Sequence, residues 1–172
     1  MNWTLILGAV GCLAACFAAA STGAIFKPGA WYASLRKPSW NPPNWLFPIA
    51  WSILYLMMAA AGFLVWREDG LGLPMLVWAG QLVLNAGWSA VFFGLRKLGW
   101  AVLEAAALWA AILACILLFA PISATAAWLM VPYLAWVSFA VFLSYTMWRL
   151  NPGPHPVMRR DEAGTLTQRA QM

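Results

Sequence analysis

The side chains able to do chemistry are few, and most of them lie inside long apolar runs. Gln81, Asn85 and Glu104 are the chief polar residues there. An amide or carboxyl group is costly to bury in hydrocarbon unless it finds a partner. Asn85 falls at the middle of its run, so its amide must bond either to a neighbouring helix or to a bound molecule. Glu104 lies seven residues beyond Lys97, about 10 Å along a helix axis at roughly 1.5 Å per residue. A lone carboxylate makes no proton relay. Trp51, Trp88, Trp109 and Trp136 also fall deep in the runs, and Trp78 is intermediate. Each brings a large flat surface and one N–H donor. Around one cavity they suit a flat aromatic or polycyclic guest. Their plainer use is core packing, and an oxidisable, light-absorbing indole also admits redox or photochemistry.

Other chemistries find no support. Cys12, Cys16 and Cys115 sit in apolar runs, where cysteine behaves as a small apolar residue. The one histidine, His155, lies near the C-terminal end, so no metal site is expected. For the same reason no Ser-His-Asp or Cys-His arrangement can form within the runs. No glycine loop suited to phosphate is present.

The elements that position these residues follow from composition. Of 172 residues, 64% are hydrophobic and 9% charged. A soluble domain is about 45–50% apolar and about 25% charged. The balance excludes a disordered chain and a soluble enzyme and points to the bilayer. Apolar runs at about 3–26, 45–66, 74–95, 98–120 and 125–149 are each long enough to span it. The expected fold is an all-α bundle of five transmembrane helices over residues 1–151, followed by a polar, disordered tail at 152–172. The first run lacks a basic n-region and is too long for a signal h-region, so it reads as a retained helix.

An odd number of spans puts the termini on opposite sides. Lys27, Arg36, Lys37, Arg96, Lys97, Arg149, Arg159, Arg160 and Arg169 fall on one side, against Arg67 alone on the other. The positive-inside rule then places the C-terminus in the cytoplasm and the N-terminus outside. The net charge of +5 is therefore topology, and no nucleic-acid partner is expected. Small residues at steps of four (Gly11, Ala15, Ala19 and Gly23, then Ala86, Ala90 and Gly94) let helices approach closely, within one bundle or across a dimer. The 27–44 loop carries too many aromatic residues for a solvated linker, and its prolines restrict it. It reads as a folded lid over the cytoplasmic mouth.

Three blocks carry a further signal. The first is Trp31-Tyr32, then Leu35, Arg36, Lys37, Pro38, Ser39, Trp40, Asn41, Pro42 and Pro43, with Phe47, Trp51 and Leu54-Tyr55. The second is Gln81-Leu82, Asn85, Trp88 and Val91-Phe92-Phe93-Gly94. The third is Val131-Pro132-Tyr133-Leu134 with Trp136, and Arg149-Leu150-Asn151. In order and spacing these resemble the translocator protein family, also called tryptophan-rich sensory proteins or peripheral-type benzodiazepine receptors. The resemblance runs from about residue 20 to 151.

That resemblance implies a five-helix membrane bundle, often a homodimer. The short loops and arginine bias suit a bacterial inner membrane, with an organelle membrane as the alternative. The resemblance also implies a cavity for porphyrins such as protoporphyrin IX, for sterol-like lipids and for benzodiazepine-type compounds. Carried onto this chain, Trp51 and Asn85 would donate hydrogen bonds to the ligand. Tyr32, Phe47, Phe92 and Trp136 would supply walls, with Trp88 in the same set and Ala140 at a small-residue position. Trp31, Lys37, Pro38, Trp40, Pro42 and Pro43 would belong to the lid. Leu143, Tyr145 and Arg149 form a loose counterpart of a cholesterol-recognition pattern, a weak kind of signal. The favoured function is a receptor or carrier linked to tetrapyrrole and stress regulation, because no dedicated acid, base or metal site is visible. The alternative is an enzyme degrading protoporphyrin IX with light and oxygen, in which Trp51 and Trp136 would be the redox-active groups. Neither requires a cofactor; porphyrin is ligand or substrate. A plain transporter lacks the repeats or broken helices that would support it.

Overall fold

In hydrocarbon a chain must satisfy its own backbone, so each apolar run becomes a helix. The computed structural model describes residues 2–26 and 28–153. Its long helices are α1 (Trp3–Ile25), α3 (Leu46–Asp69), α4 (Leu73–Ser89), α5 (Leu98–Phe119) and α6 (Ala124–Leu150), with the short α2 (Ala30–Ser34) inside the first loop. All five long helices have the length and hydropathy to cross a membrane. α1, α5 and α6 agree with the sequence-based bounds to within a residue, as does α4 once the π-helical Ala90–Gly94 that continues it is counted. The exception is α3, which runs on through Arg67, Glu68 and Asp69 and stops at Gly70, whose φ of 68° glycine adopts without steric cost. The 27–44 loop, expected to be folded, contains the short helix α2. The expected disordered tail lies, from residue 154 on, outside the described residues.

The helices close into a ring. Each packs on two main neighbours in the order α1, α4, α5, α6, α3 and back to α1. Their outer faces are apolar: Phe17, Leu56, Val83, Leu117 and Trp128 are all exposed. Such a surface suits contact with lipid. The interior holds two apolar clusters. One, around Met58, Ile112, Phe119 and Tyr133, fills the half away from the first loop. The other, around Tyr32, Leu35, Phe92, Leu98 and Met147, lies under that loop.

Two local features set the geometry. Helix α4 ends in a π-helical segment, Ala90–Gly94, whose wider turn carries Phe92 and Phe93. Sequence periodicity does not register such a turn. At the other end of the chain, Asn151 ties the first loop to α6. Its Oδ1 accepts from the Arg36 N–H at 2.9 Å, and its Nδ2 donates to the Arg36 carbonyl at 2.9 Å and the Met147 carbonyl at 2.7 Å.

Candidate functional site

Between the two clusters lies a cavity of about 480 Å³, bounded by all five long helices and the first loop. Tyr32, Phe47, Trp51, Asn85, Trp88, Phe92, Trp136 and Ala140 all line it. Residues far apart in the sequence are thus brought onto one surface. The walls are mostly aromatic. Trp88 stacks on Phe92 with ring centroids 4.9 Å apart, Phe47 meets Trp136 edge-on at 6.0 Å, and Trp51 meets Tyr133 edge-on at 6.1 Å. No charged side chain lines the cavity among the described residues. The Trp88 Nε1 is buried without an acceptor. A buried orphan donor costs about 1–3 kcal/mol, which a ligand acceptor would recover.

Of the two partners expected for Asn85, a neighbouring helix or a bound molecule, the structure shows the first. The Tyr55 hydroxyl donates to Asn85 Oδ1, and Asn85 Nδ2 donates to the Tyr133 hydroxyl at 2.7 Å. Tyr133 in turn donates to Gln81 Oε1 at 3.1 Å, and Gln81 Nε2 faces the Met58 sulfur at 3.8 Å. The polarity of this chain follows from its far end. A thioether can only accept, so Gln81 turns its NH₂ to Met58 and its carbonyl to Tyr133. Tyr133 then spends its one proton on Gln81 and accepts from Asn85. Asn85 turns its carbonyl to Tyr55. One N–H of Asn85 is held in this network, and only its second is left for a guest. A helix-to-helix role and one N–H without a partner therefore coexist at this residue.

None of the expected lid residues, Trp31, Lys37, Pro38, Trp40, Pro42 and Pro43, lines the cavity. The loop reaches the cavity through Pro28, Tyr32 and Asn44. Trp31 meets Phe92 edge-on at 6.0 Å, and Lys37 Nζ sits 4.3 Å above the Tyr32 ring. Burial pushes the Tyr32 phenol above its usual pKa, so that it stays neutral. Trp40 turns outward and stacks on Phe142 at 5.2 Å. The Pro38 carbonyl accepts from the Asn41 N–H at 3.0 Å, and that of Pro42 from Asn41 Nδ2 at 2.9 Å. The Pro43 carbonyl accepts from the Leu46 N–H at 3.0 Å, where α3 begins. The prolines thus shape the loop, and the aromatic rings dock it.

Several residues play other parts. Trp109 donates to Ser138 Oγ at 2.8 Å and lies outside the cavity, while Trp78 donates to the Met58 carbonyl at 3.1 Å inside the core. Glu104 packs against Gly87 across the α4–α5 contact, leaving Oε2 buried and unpartnered. The three cysteines are free and buried. Leu143 lines the cavity while Tyr145 is exposed, so the cholesterol-type pattern is split between two faces of α6. Sequence reasoning missed Ala20, Gly23 and Ala24 of α1, Phe93, and Ser144 of α6, which also line the cavity. The step-of-four run ending at Gly23 was the available signal for α1.

The ring of five membrane-spanning helices around an aromatic cavity defines a class of small integral membrane protein, and comparison with known proteins gives the family. The TspO/MBR family model matches residues 6–149, and the chain belongs to that family. It is 44% identical over 150 residues to Protein CrtK of Rhodobacter capsulatus, covering 83% of this chain and 92% of that protein. It is 43% identical over 148 residues to the Tryptophan-rich protein TspO of Chlorobaculum tepidum, covering 82% and 94%. Human Translocator protein is 41% identical over 128 residues, covering 72% and 76%. With five spanning helices and bacterial relatives, this is an integral membrane protein of the bacterial inner-membrane type.

Proposed function

We propose that the protein is a membrane receptor or carrier that binds protoporphyrin IX, or a similarly flat apolar molecule with carbonyl or carboxylate groups, inside the helix ring. The observation that carries this reading is the uncharged cavity of about 480 Å³ walled by Trp51, Trp88, Trp136 and Phe92. Its size falls within the range of about 300–1,000 Å³ of ordinary ligand sites. Stacked or edge-on rings favour a π-surface. The free N–H donors ask for acceptors on the guest. Lys37 above Tyr32, and Arg96 at 5.9 Å from the Trp31 ring, supply positive charge near the mouth, suited to propionate groups. Sterol-like lipids and benzodiazepine-type compounds fit the same apolar walls with fewer polar contacts. A homodimer belongs to the same reading.

The test is titration of the purified protein in nanodiscs with protoporphyrin IX, following the Soret band. The wild type should give a saturable, shifted band. Trp51→Phe keeps an aromatic ring but loses the N–H. One net hydrogen bond of about 0.5–1.5 kcal/mol corresponds to roughly two- to tenfold weaker binding. Unchanged affinity would remove Trp51 from the site, and absence of a saturable band would overturn the reading. The enzyme alternative has one observation in its favour: Trp51 lies 5.6 Å from Tyr55 and 6.1 Å from Tyr133, a contiguous set of oxidisable rings. It predicts porphyrin loss under light that exceeds that of free porphyrin, and a loss per bound molecule that falls in Trp51→Phe and Trp136→Phe. Bleaching no faster than free porphyrin would sink it.

A further inference from the structure

A second hollow lies on the lipid side of the bundle, and it shares a wall with the cavity. It is bounded by Ala50, Ile53, Leu54 and Met57 of α3 and by Pro132, Ala135, Trp136 and Phe139 of α6. Each set repeats the same spacing of three, one and three residues, which lines up one face of a helix. All eight residues are apolar, and Ile53, Pro132 and Ala135 are exposed. Trp136 and Phe139 line the inner cavity as well. Between cavity and bilayer the partition therefore includes these two rings, whose centroids lie 5.9 Å apart.

This seam is held by ring and aliphatic packing, including Phe47 on Trp136 and Trp51 on Tyr133. Among the described residues no hydrogen bond joins α3 directly to α6, whereas the first loop is fastened by the Asn151 bonds to Arg36 and by Trp31 on Phe92. Pro132 lacks an N–H and removes one bond from the α6 ladder beside the groove. Ala50 and Ala135 are small, so closure rests on the rings rather than on interlocked side chains. Trp40 from the first loop meets Phe139 edge-on at 5.8 Å, which couples the loop to the partition.

We propose that the α3–α6 groove is a lateral portal, a vestibule through which the cavity's flat apolar ligand arrives edge-on from the bilayer, with Phe139 and Trp136 swinging aside. The identity of that ligand rests on the reading above; the portal does not. Ala50 and Ala135 face the groove and not the cavity, so enlarging them plugs the path without altering the binding walls.

The first test needs no porphyrin. In a variant with Cys12, Cys16 and Cys115 replaced by alanine, Ala140→Cys puts a single thiol on the cavity wall. Pyrene maleimide dissolved in the nanodisc lipid should label it. Adding Ala135→Phe, or Ala50→Phe, should slow that labelling about tenfold, the effect of roughly 1.4 kcal/mol of added barrier. Labelling by a small water-soluble maleimide should keep its rate. Ala50→Leu and thermal unfolding check that slowing is not misfolding. Equal labelling with and without both plugs would overturn the portal, as would equal slowing of both reagents in a folded variant. The second test uses protoporphyrin IX supplied in the lipid. Association and dissociation should slow by the same factor, leaving affinity unchanged. If the wild type binds no porphyrin, the ligand reading falls while the labelling result still decides the portal.

Discussion

At the residue scale the central object is the hydrogen-bond chain through Asn85. That an amide at mid-membrane must have a partner is legible from the sequence. Which partner it has is not, because Tyr55 and Tyr133 stand 30 and 48 residues away. Nor does any local signal show that Met58 sets the direction of the chain. Tyr133→Phe tests the arrangement. It removes the hydroxyl that accepts from Asn85 and donates to Gln81, leaving two buried polar atoms unpaired. Each such atom costs about 1–3 kcal/mol, so thermal unfolding in detergent should shift clearly downward. Porphyrin affinity should fall too, because the Asn85 amide is no longer held. Asn85→Leu should lower stability and affinity together, the mark of a residue serving both. Unchanged unfolding in Tyr133→Phe would show that the chain is not formed.

At the element scale the spans were legible because hydropathy over about twenty residues is a direct consequence of bilayer thickness. The π segment at Ala90–Gly94 was not, since a widened turn answers to packing rather than to composition. Helix α2, with five residues, is too short to show a period. The candidate site was legible mainly through the motif blocks. The α1 contribution was missed because Ala20, Gly23 and Ala24 carry no chemistry of their own and matter only by leaving space. Space also governs the α3–α4 contact. A methyl group on Gly62 would meet the Trp78 ring at 2.6 Å, and that ring is held by its bond to the Met58 carbonyl. Gly62→Ala should therefore destabilise the bundle by about 1–3 kcal/mol, the usual effect of overpacking, as read by thermal unfolding. The loop makes a contrasting case. Asn151→Ala removes three hydrogen bonds at a buried side chain, two of them to Arg36. The loss is confined to one edge of the fold, so amide exchange over residues 35–37 should rise while global unfolding changes little. Unaltered exchange there would show that ring packing alone docks the loop.

At the scale of the whole molecule the open matter is which way the bundle sits in its membrane. The bonds between Asn151 and Arg36 place the first loop and the C-terminal end of α6 at the same end of the ring. An odd number of spans requires the same, and it brings the α4–α5 turn with Arg96 and Lys97 to that end as well. The opposite end has Arg67, whose guanidinium is already paired with Glu68 at 2.6 Å. Charge is thus sorted by end as well as by sequence, and the basic end should remain in the cytoplasm, where such residues are retained during insertion. A reporter active only in the cytoplasm should be active when fused after Met172 and silent when fused before Met1. A sharper version moves the charge. Replacing Arg36, Lys37, Arg96 and Lys97 with glutamine, and adding lysines beside Arg67, should yield a mixed or inverted population by the same assay. If the reporter on the wild-type C-terminus is silent and that on the N-terminus active, the orientation is reversed. The cavity mouth beneath the first loop would then face the periplasm, and any ligand arriving by that mouth would come from outside the cell.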